Sequence, residues 1–417
     1  MIPSVTPAYC PPPPETIEAT GIPPSLITDL VLRRTYSSGV STLQSLGQSL
    51  KLSPLVLETV FREMRQQMLV EVKGMVGNDY NFCLTEKGRS QALDRFQISH
   101  YAGACPVSLK QYNRLTKAQA AKVKIDRKTL RQALSDLVVP DSLLDQLGPA
   151  IISQNSLFLY GPTGSGKTSL AERVLRVYRD AIVVPYAIEV DNQIIQLFDP
   201  VLHEPLQSEG ADIDPRWVIC RRPCVIVGGE LVSNMLELRL DEGTGVYVAP
   251  LQMKANNGVL VIDDFGRQLI APRELLNRWI VPLDRRVDYL SLRYGVKFQI
   301  PFEALVIFAT NLDPRDLADE AFLRRLHNKI FVEAVDAPQF DEIFRRVMTA
   351  RNVAYEPHSA EYLRKLCFER GCEELRACYP ADICQILVSI SLFESRPLRA
   401  SEADLERATA LYFTKQR

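Results

Sequence analysis

Leu157-Phe158-Leu159-Tyr160 is a short apolar run, and Gly161-Pro162-Thr163-Gly164-Ser165-Gly166-Lys167-Thr168 follows it without a break. The second segment has the form G-x-x-x-x-G-K-T, the phosphate-binding loop. Its glycines let successive backbone N–H groups turn inward around phosphate oxygens, Lys167 brings a charge to the β/γ oxygens, and Thr168 offers a hydroxyl to Mg²⁺. Such a loop needs a strand before it and a helix after it, and Ser169–Tyr178 has helical spacing. By residue frequencies the bare pattern turns up roughly once or twice in a hundred chains of this length. The strand-to-helix context weighs against a glycine turn without a ligand. Phosphate contacts are therefore expected from Gly161 through Thr168, on a parallel α/β core.

The metal of such a site needs a carboxylate from a second strand. Val259-Leu260-Val261-Ile262-Asp263-Asp264 supplies four apolar residues of a buried parallel strand and then two acids at its carboxyl end, where open α/β sheets bind ligands. Asp263 is expected to hold Mg²⁺ with Thr168, and Asp264 to polarise the attacking water. A third apolar run, Ala304–Ala309, ends in Thr310-Asn311, whose amide could orient that water. Asp319–Leu326 reads as a helical segment presenting Arg324 and Arg325, cations suited to transferring phosphoryl oxygens across a subunit boundary. Surface ion pairing is the competing reading for both arginines.

With "VLVIDD", "VIFATN" and "DEAFLRRL" in this order after the loop, residues 130–417 resemble an AAA+ ATPase. Within that superfamily, "IDDFGRQ", "LLNRWIVPLDRRVDYLSLRYG" and "FATNLDPRDLADEAFLRRL" are similar to a bacterial group described as predicted ATPases with chaperone activity. The resemblance implies a Walker A loop at Gly161–Ser169, Walker B metal coordination at Thr168 and Asp263, and a catalytic carboxylate at Asp264. It also implies a first sensor at Asn311, an arginine finger at Arg324 or Arg325, an α/β domain over 131–332 and a helical lid over 333–417. Two departures stand out. Asp264 occupies a position where many relatives carry Glu, as "DD" does in replication initiators and loaders. In "ELRACYPADIC", Ala381 stands where a second sensor Arg is expected, leaving Arg376 as the substitute. Turns at Asp191-Asn192, Asp241–Gly245 and Tyr294-Gly295 read as hairpins, which resemble the insertions of the MoxR-like branch and make Tyr247 a candidate channel residue.

Upstream, eight of the 27 prolines fall within residues 1–24, read as a disordered arm. Residues 25–100 run helix, helix, helix, hairpin, helix, and resemble a winged helix-turn-helix. Nine basic residues face seven acidic ones there, and Arg62 and Arg65 share their helix with Glu58 and Glu63. Duplex DNA binding wants more phosphate contacts than this, so protein docking is favoured over DNA. Residues 101–130, with Lys110, Arg114, Lys117, Lys122, Lys124, Arg127 and Lys128, read as a basic linker.

A formal net charge of −1 over 417 residues excludes a surface that is basic throughout. No apolar run reaches the roughly 18 residues a membrane span requires, and the start carries no basic, apolar leader, so a cytoplasmic location is expected. Nine dispersed cysteines without paired zinc-ligand spacing read as reduced thiols. The resulting expectation is an ATP- and Mg²⁺-dependent ATPase, assembled as a homo-oligomeric ring, hexameric by resemblance, that remodels a protein client chosen by residues 25–100. The alternative is an ATP-gated DNA-binding or regulatory protein.

Overall fold

The computed structural model describes residues 9–121, 125–206, 213–317 and 323–413. Five parallel strands lie in the order Cys224–Val227, Val259–Ile262, Leu305–Thr310, Leu157–Tyr160, Asn328–Phe331. Val259–Ile262 and Leu305–Thr310 are buried at every position, as strands covered on both faces must be. Alternation divides their side chains between two layers. Leu157, Leu159, Val261 and Ile307 pack under Leu147, Ile151 and Leu170, whereas Phe158, Leu260, Ile262 and Phe308 pack under Phe265, Leu276 and Trp279. The register pairs Ile262 with Phe308 and Thr310 with Tyr160. Residues 161, 263 and 311 therefore leave the sheet side by side at its carboxyl edge.

A second layer is β-rich. Its five strands run Arg239–Asp241, Val246–Val248, Gln193–Gln196, Ala187–Val190, Val107–Ser108. The three expected hairpin turns are present, and Asp191 and Asn192 both take positive φ (50° and 60°), the geometry that two-residue hairpin turns demand. The apolar run from Ile182 to Val190 divides at Tyr186, so that Ala187–Val190 forms the hairpin and Ala181–Pro185 pairs with Trp217–Arg221. Tyr247 does not face a channel: it is 3% exposed, and its hydroxyl accepts the Arg293 N–H at 3.0 Å.

Residues 107–121 belong to this layer and are not a linker. Helix Leu109–Ala118 buries Tyr112, Leu115 and Thr116 and exposes Lys110, Arg114 and Lys117, so the basic run is one face of an amphipathic helix. Gln119 continues the attachment by exchanging two hydrogen bonds with the Val183 backbone, at 2.6 and 3.1 Å. Lys122 and Lys124 lie outside the described residues.

Helices Pro24–Ser38, Leu43–Leu50, Pro54–Gln66 and Glu86–Ile98 surround a three-stranded antiparallel sheet ordered Val40–Thr42, Asp79–Leu84, Val70–Val76. Their core, built on Ile27, Leu30, Val60 and Phe82, also takes in Ala187, Ile194 and Val246 of the β-rich layer. Residues 9–24 are packed where a disordered arm was expected, and residues 1–8 lie outside the description. Prolines lack an N–H but keep a carbonyl: Pro11 O accepts from the Asp214 amide at 2.8 Å and Pro14 O from the Ser53 hydroxyl at 2.5 Å. Ile17 and Ile22 then anchor the segment in the core.

Four helices follow the parallel sheet: Ala337–Ala350, Ser359–Glu369, Tyr379–Phe393 and Glu402–Tyr412. Asp336 and Gln339 form a reciprocal capping box at the first, and Ser401 caps the last. Phe340, Phe344, Leu363, Ile383 and Leu405 are their shared core. No helix among the described residues is long and apolar enough to cross a membrane.

Candidate active site

Strand Leu157–Tyr160 delivers the chain into the glycine loop, and helix Lys167–Val174 takes it out. Two glycines are required by what lies against them. Gly161 has φ +145°, and a Cβ there would sit 2.3 Å from Val332 O; Gly164 has φ +77°, and a Cβ there would sit 2.6 Å from Cys378 Sγ. Lys167 Nζ folds back over the loop and donates to Gly161 O (3.0 Å), Pro162 O (2.7 Å) and Ser165 Oγ (3.3 Å). Burial pushes its pKa down, against the opposing pull of Asp263 and Asp264. An anion arriving in the loop reinforces the charged form.

The Thr168 hydroxyl lies 2.9 and 3.0 Å from the two oxygens of Asp263. These are hard oxygen donors converging from helix and strand, the donor type Mg²⁺ takes alongside phosphate and water. Asp264 adopts φ +48° and donates its amide to Asp263 Oδ1 at 3.0 Å. Gln268 laces this turn: its Nε2 donates to Asp263 O (2.8 Å) and Asp264 O (3.1 Å), and its Oε1 accepts from the Gly266 amide (2.8 Å). Buried Phe265 pins the turn to the neighbouring strand through Ala309 O at 2.8 Å. Asn311 Nδ2 donates to Thr163 Oγ1 at 3.1 Å, while its Oδ1 is buried without a partner.

Thr163 through Ser169, Asp263, Asp264 and Asn311 line one cavity of about 640 Å³. Gly161 and Pro162 contribute through the carbonyls that hold Lys167. The cavity's other wall comes from elements the motifs did not mark: Asp136–Val139 and Leu143 on one side, Ile343, Arg346, Val347, Ala377, Cys378 and Ala381 of the C-terminal helices on the other. Ala381 does face the site, as the expected position of a second sensor. Arg376 is exposed, stacks over the Tyr379 ring at 5.7 Å and lines a separate hollow with Glu373 and Glu374, while its Cβ and Cδ pass 3.4 Å from where a Gly164 Cβ would sit.

Arg324 and Arg325 lie outside the cavity and differ from each other. Arg324 is exposed, whereas Arg325 is half-buried and donates to Asp284 at 2.9 Å. Asp319–Phe322, the start of their expected helix, lie outside the described residues. Gln268, Arg346 and Cys378 could not be found from motif spacing. Only the fold carries the C-terminal helices back to the loop.

A family model described as a domain of unknown function (DUF8689) matches residues 336–411, the C-terminal helical unit. No curated protein matches the chain. Solved structures similar to it include a Thermotoga maritima RuvB mutant (13% identity, 70% of this chain and 73% of that one, TM-score 0.39). NtrX from Brucella abortus in complex with ATP aligns at 12% identity over 73% of this chain and 61% of that one, with TM-score 0.40. The Thermotoga maritima RuvB Holliday junction branch migration motor aligns at 16% identity over 70% and 72%, with TM-score 0.37. All three are remote likenesses. What the chain's own coordinates establish is an α/β core in which a glycine loop, a lysine, a hydroxyl, two carboxylates and an amide meet at the carboxyl edge of a parallel sheet.

Proposed function

We propose that this chain is an AAA+ ATPase that binds ATP with Mg²⁺ in the cavity between the parallel sheet and the C-terminal helices, which act as a lid. The observation that carries this reading is the convergence of Lys167, the Thr168–Asp263 pair, Asp264 and Asn311 at one sheet edge. The apolar end of the cavity, Val138, Val139, Leu143, Ile343 and Val347, suits a flat base, and the loop end suits phosphates. Thr168 and Asp263 would hold Mg²⁺, which supplies charge neutralisation on the transferring phosphoryl group. Lys167 holds the β/γ oxygens. Asp264 takes the proton of the attacking water, and the unpartnered Asn311 Oδ1 orients that water.

The reading extends to a homo-oligomeric ring, a hexamer in the MoxR-like branch, in which the exposed Arg324 enters the neighbour's site. Hydrolysis per subunit is then expected to rise with protein concentration. Arg324→Ala should cut turnover by about 10³-fold while leaving ATP affinity within threefold, the magnitude of a missing arginine finger. Arg325→Ala, which strips Asp284 of its partner, should lower the thermal midpoint instead. A phosphate-release assay across concentrations, with unfolding scans, separates them; loss of turnover confined to Arg325→Ala would refute the assignment.

Residues 25–100 serve in this reading as a winged helix-turn-helix that selects a protein client for chaperone-like remodelling. A cavity of about 750 Å³ between helices Leu43–Leu50 and Pro54–Gln66 and the hairpin turn supports docking of a mixed-charge partner, since Lys51, Arg62 and Arg65 line it together with Glu58 and Asp79. The second reading, an ATP-gated duplex binder, rests on those three cations. It requires binding to mixed-sequence duplex that weakens steeply with salt.

A further inference from the structure

The cavity of about 750 Å³ beside helices Leu43–Leu50 and Pro54–Gln66 has cations and carboxylates on its wall, and these charges are not equally available. Asp79 is already engaged. Its two oxygens accept the Leu43 and Gln44 amides at 3.2 and 2.8 Å, and Thr42 Oγ1 takes the next amide, Ser45 N, at 3.1 Å. The carboxylate thus caps the positive end of helix Leu43–Leu50, which offsets its charge. Arg62 and Arg65 are exposed, lie one turn apart on helix Pro54–Gln66, and make no ion pair among the described residues. Lys51 Nζ is set against a ring and not an acid, 6.0 Å from the centre of Tyr186. Lys51, Arg62 and Arg65 therefore face Glu58 as the one acid on this wall that is not engaged.

Among the charges lies an apolar floor. Phe61 is buried and stacks on the exposed Tyr80, with ring centres 5.4 Å apart and planes at 24°, and Leu52 and Leu57 are buried beside them. Pro215 of the β-rich layer closes one side. A hollow of this size takes a few side chains of a segment and not a folded surface.

Duplex DNA is a poor match to the same wall. A helix-turn-helix meets phosphates with helix N-termini and base edges with the first residues of its second helix. Here the first amides of Leu43–Leu50 hold the Asp79 carboxylate, where a phosphate would have to sit. The second helix opens with Ser53, whose hydroxyl donates to Pro14 O at 2.5 Å, followed by Pro54, Leu55 and, one turn on, Glu58. None of those last three side chains carries a donor for a base edge.

We propose that this cavity binds an acidic protein segment carrying an apolar side chain. The apolar group rests on the Phe61–Tyr80 floor, and its neighbouring carboxylates meet Arg62, Arg65 and Lys51, while Glu58 keeps acids from its own end. The inference rests on the protein-docking reading above and narrows the mixed-charge partner given there to an acidic one.

Fluorescence anisotropy with the full chain tests this on short labelled peptides that share one Trp and one Leu, with their other positions all Glu, alternating Glu and Lys, or all Lys. An all-Glu peptide without Trp and Leu and a mixed-sequence DNA duplex complete the set. The Glu peptide with Trp and Leu is expected to bind at least about tenfold more tightly than each of the other peptides. Arg62→Glu with Arg65→Glu should weaken it at least about tenfold, and Glu58→Gln should tighten it about threefold, without a change in thermal midpoint because all three side chains are exposed. A Glu peptide that fails to bind, or that ignores the double charge reversal, overturns the proposal. If the alternating peptide binds as tightly and still responds to the reversal, protein docking stands and the preference for acid falls. A duplex that binds more tightly than every peptide, weakens steeply with salt and is lost in the reversal brings down the docking reading itself.

Discussion

Lys167→Ala is expected to weaken ATP binding by at least about 100-fold and to abolish hydrolysis, because charge-assisted hydrogen bonds to phosphate are among the strongest a loop can offer. The ammonium already sits at the mouth of the loop on Gly161 O and Pro162 O, so it needs only to turn towards the anion. Asp264→Asn should behave differently. Asn tolerates the positive φ of this position, so the turn laced by Gln268 survives while the proton acceptor is removed. Binding should stay within a few-fold and turnover fall by about 10²- to 10⁴-fold, the usual worth of a general base. Calorimetric titration beside a phosphate-release assay checks both. Equal loss of binding in the two variants would contradict the division of labour.

Arg216→Ala is expected to be the most damaging substitution away from the cavity. Arg216 is 1% exposed, and its Nη1 donates to Thr20 O (3.0 Å) and Pro106 O (3.1 Å), while Nε and Nη2 pair with Asp214. One guanidinium thereby joins the N-terminal segment, the strand entering at Val107 and the β-rich layer. Removing it leaves the buried Asp214 carboxylate without its cation, at a cost of about 3–5 kcal/mol. Replacing both partners with apolar residues, Arg216→Met with Asp214→Leu, removes the charge problem and should recover much of the loss. Urea unfolding followed by tryptophan fluorescence is apt, since Trp217 adjoins the pair and is itself buried. A shift below about 1 kcal/mol for the single alanine variant would show that the pair contributes little.

The parts of the site that were legible in the sequence share one property: each is a short motif at the end of an apolar strand. The loop, Asp263, Asp264 and Asn311 could be brought together on paper because parallel strands end at a common edge, and the observed register pairs Tyr160 with Thr310 and Ile262 with Phe308. The wall built by the C-terminal helices was not legible, since Arg346 and Cys378 reach the cavity by tertiary packing that no local spacing records. Arg324 and Arg325 are equivalent as letters and separate only once Asp284, 41 positions away, is seen beside Arg325.

Charge misled at residues 107–121 for a related reason. Lys110, Arg114 and Lys117 dominate the composition but occupy one face of a helix whose other face, Tyr112 and Leu115, is core. Prolines misled at residues 9–24 because a segment without N–H groups can still be fixed through its carbonyls, as Pro11 and Pro14 are. Both errors drew boundaries where the chain has none, since the N-terminal core and the β-rich layer share Ile194 and Val246.

The central claim is that this cavity binds and hydrolyses ATP, and release of inorganic phosphate from Mg²⁺-ATP by the purified full chain at high protein concentration tests it most directly. The expected result is steady release that disappears in Asp264→Asn while calorimetric ATP binding persists. Absence of both binding and release in the wild-type chain at millimolar ATP would contradict the account.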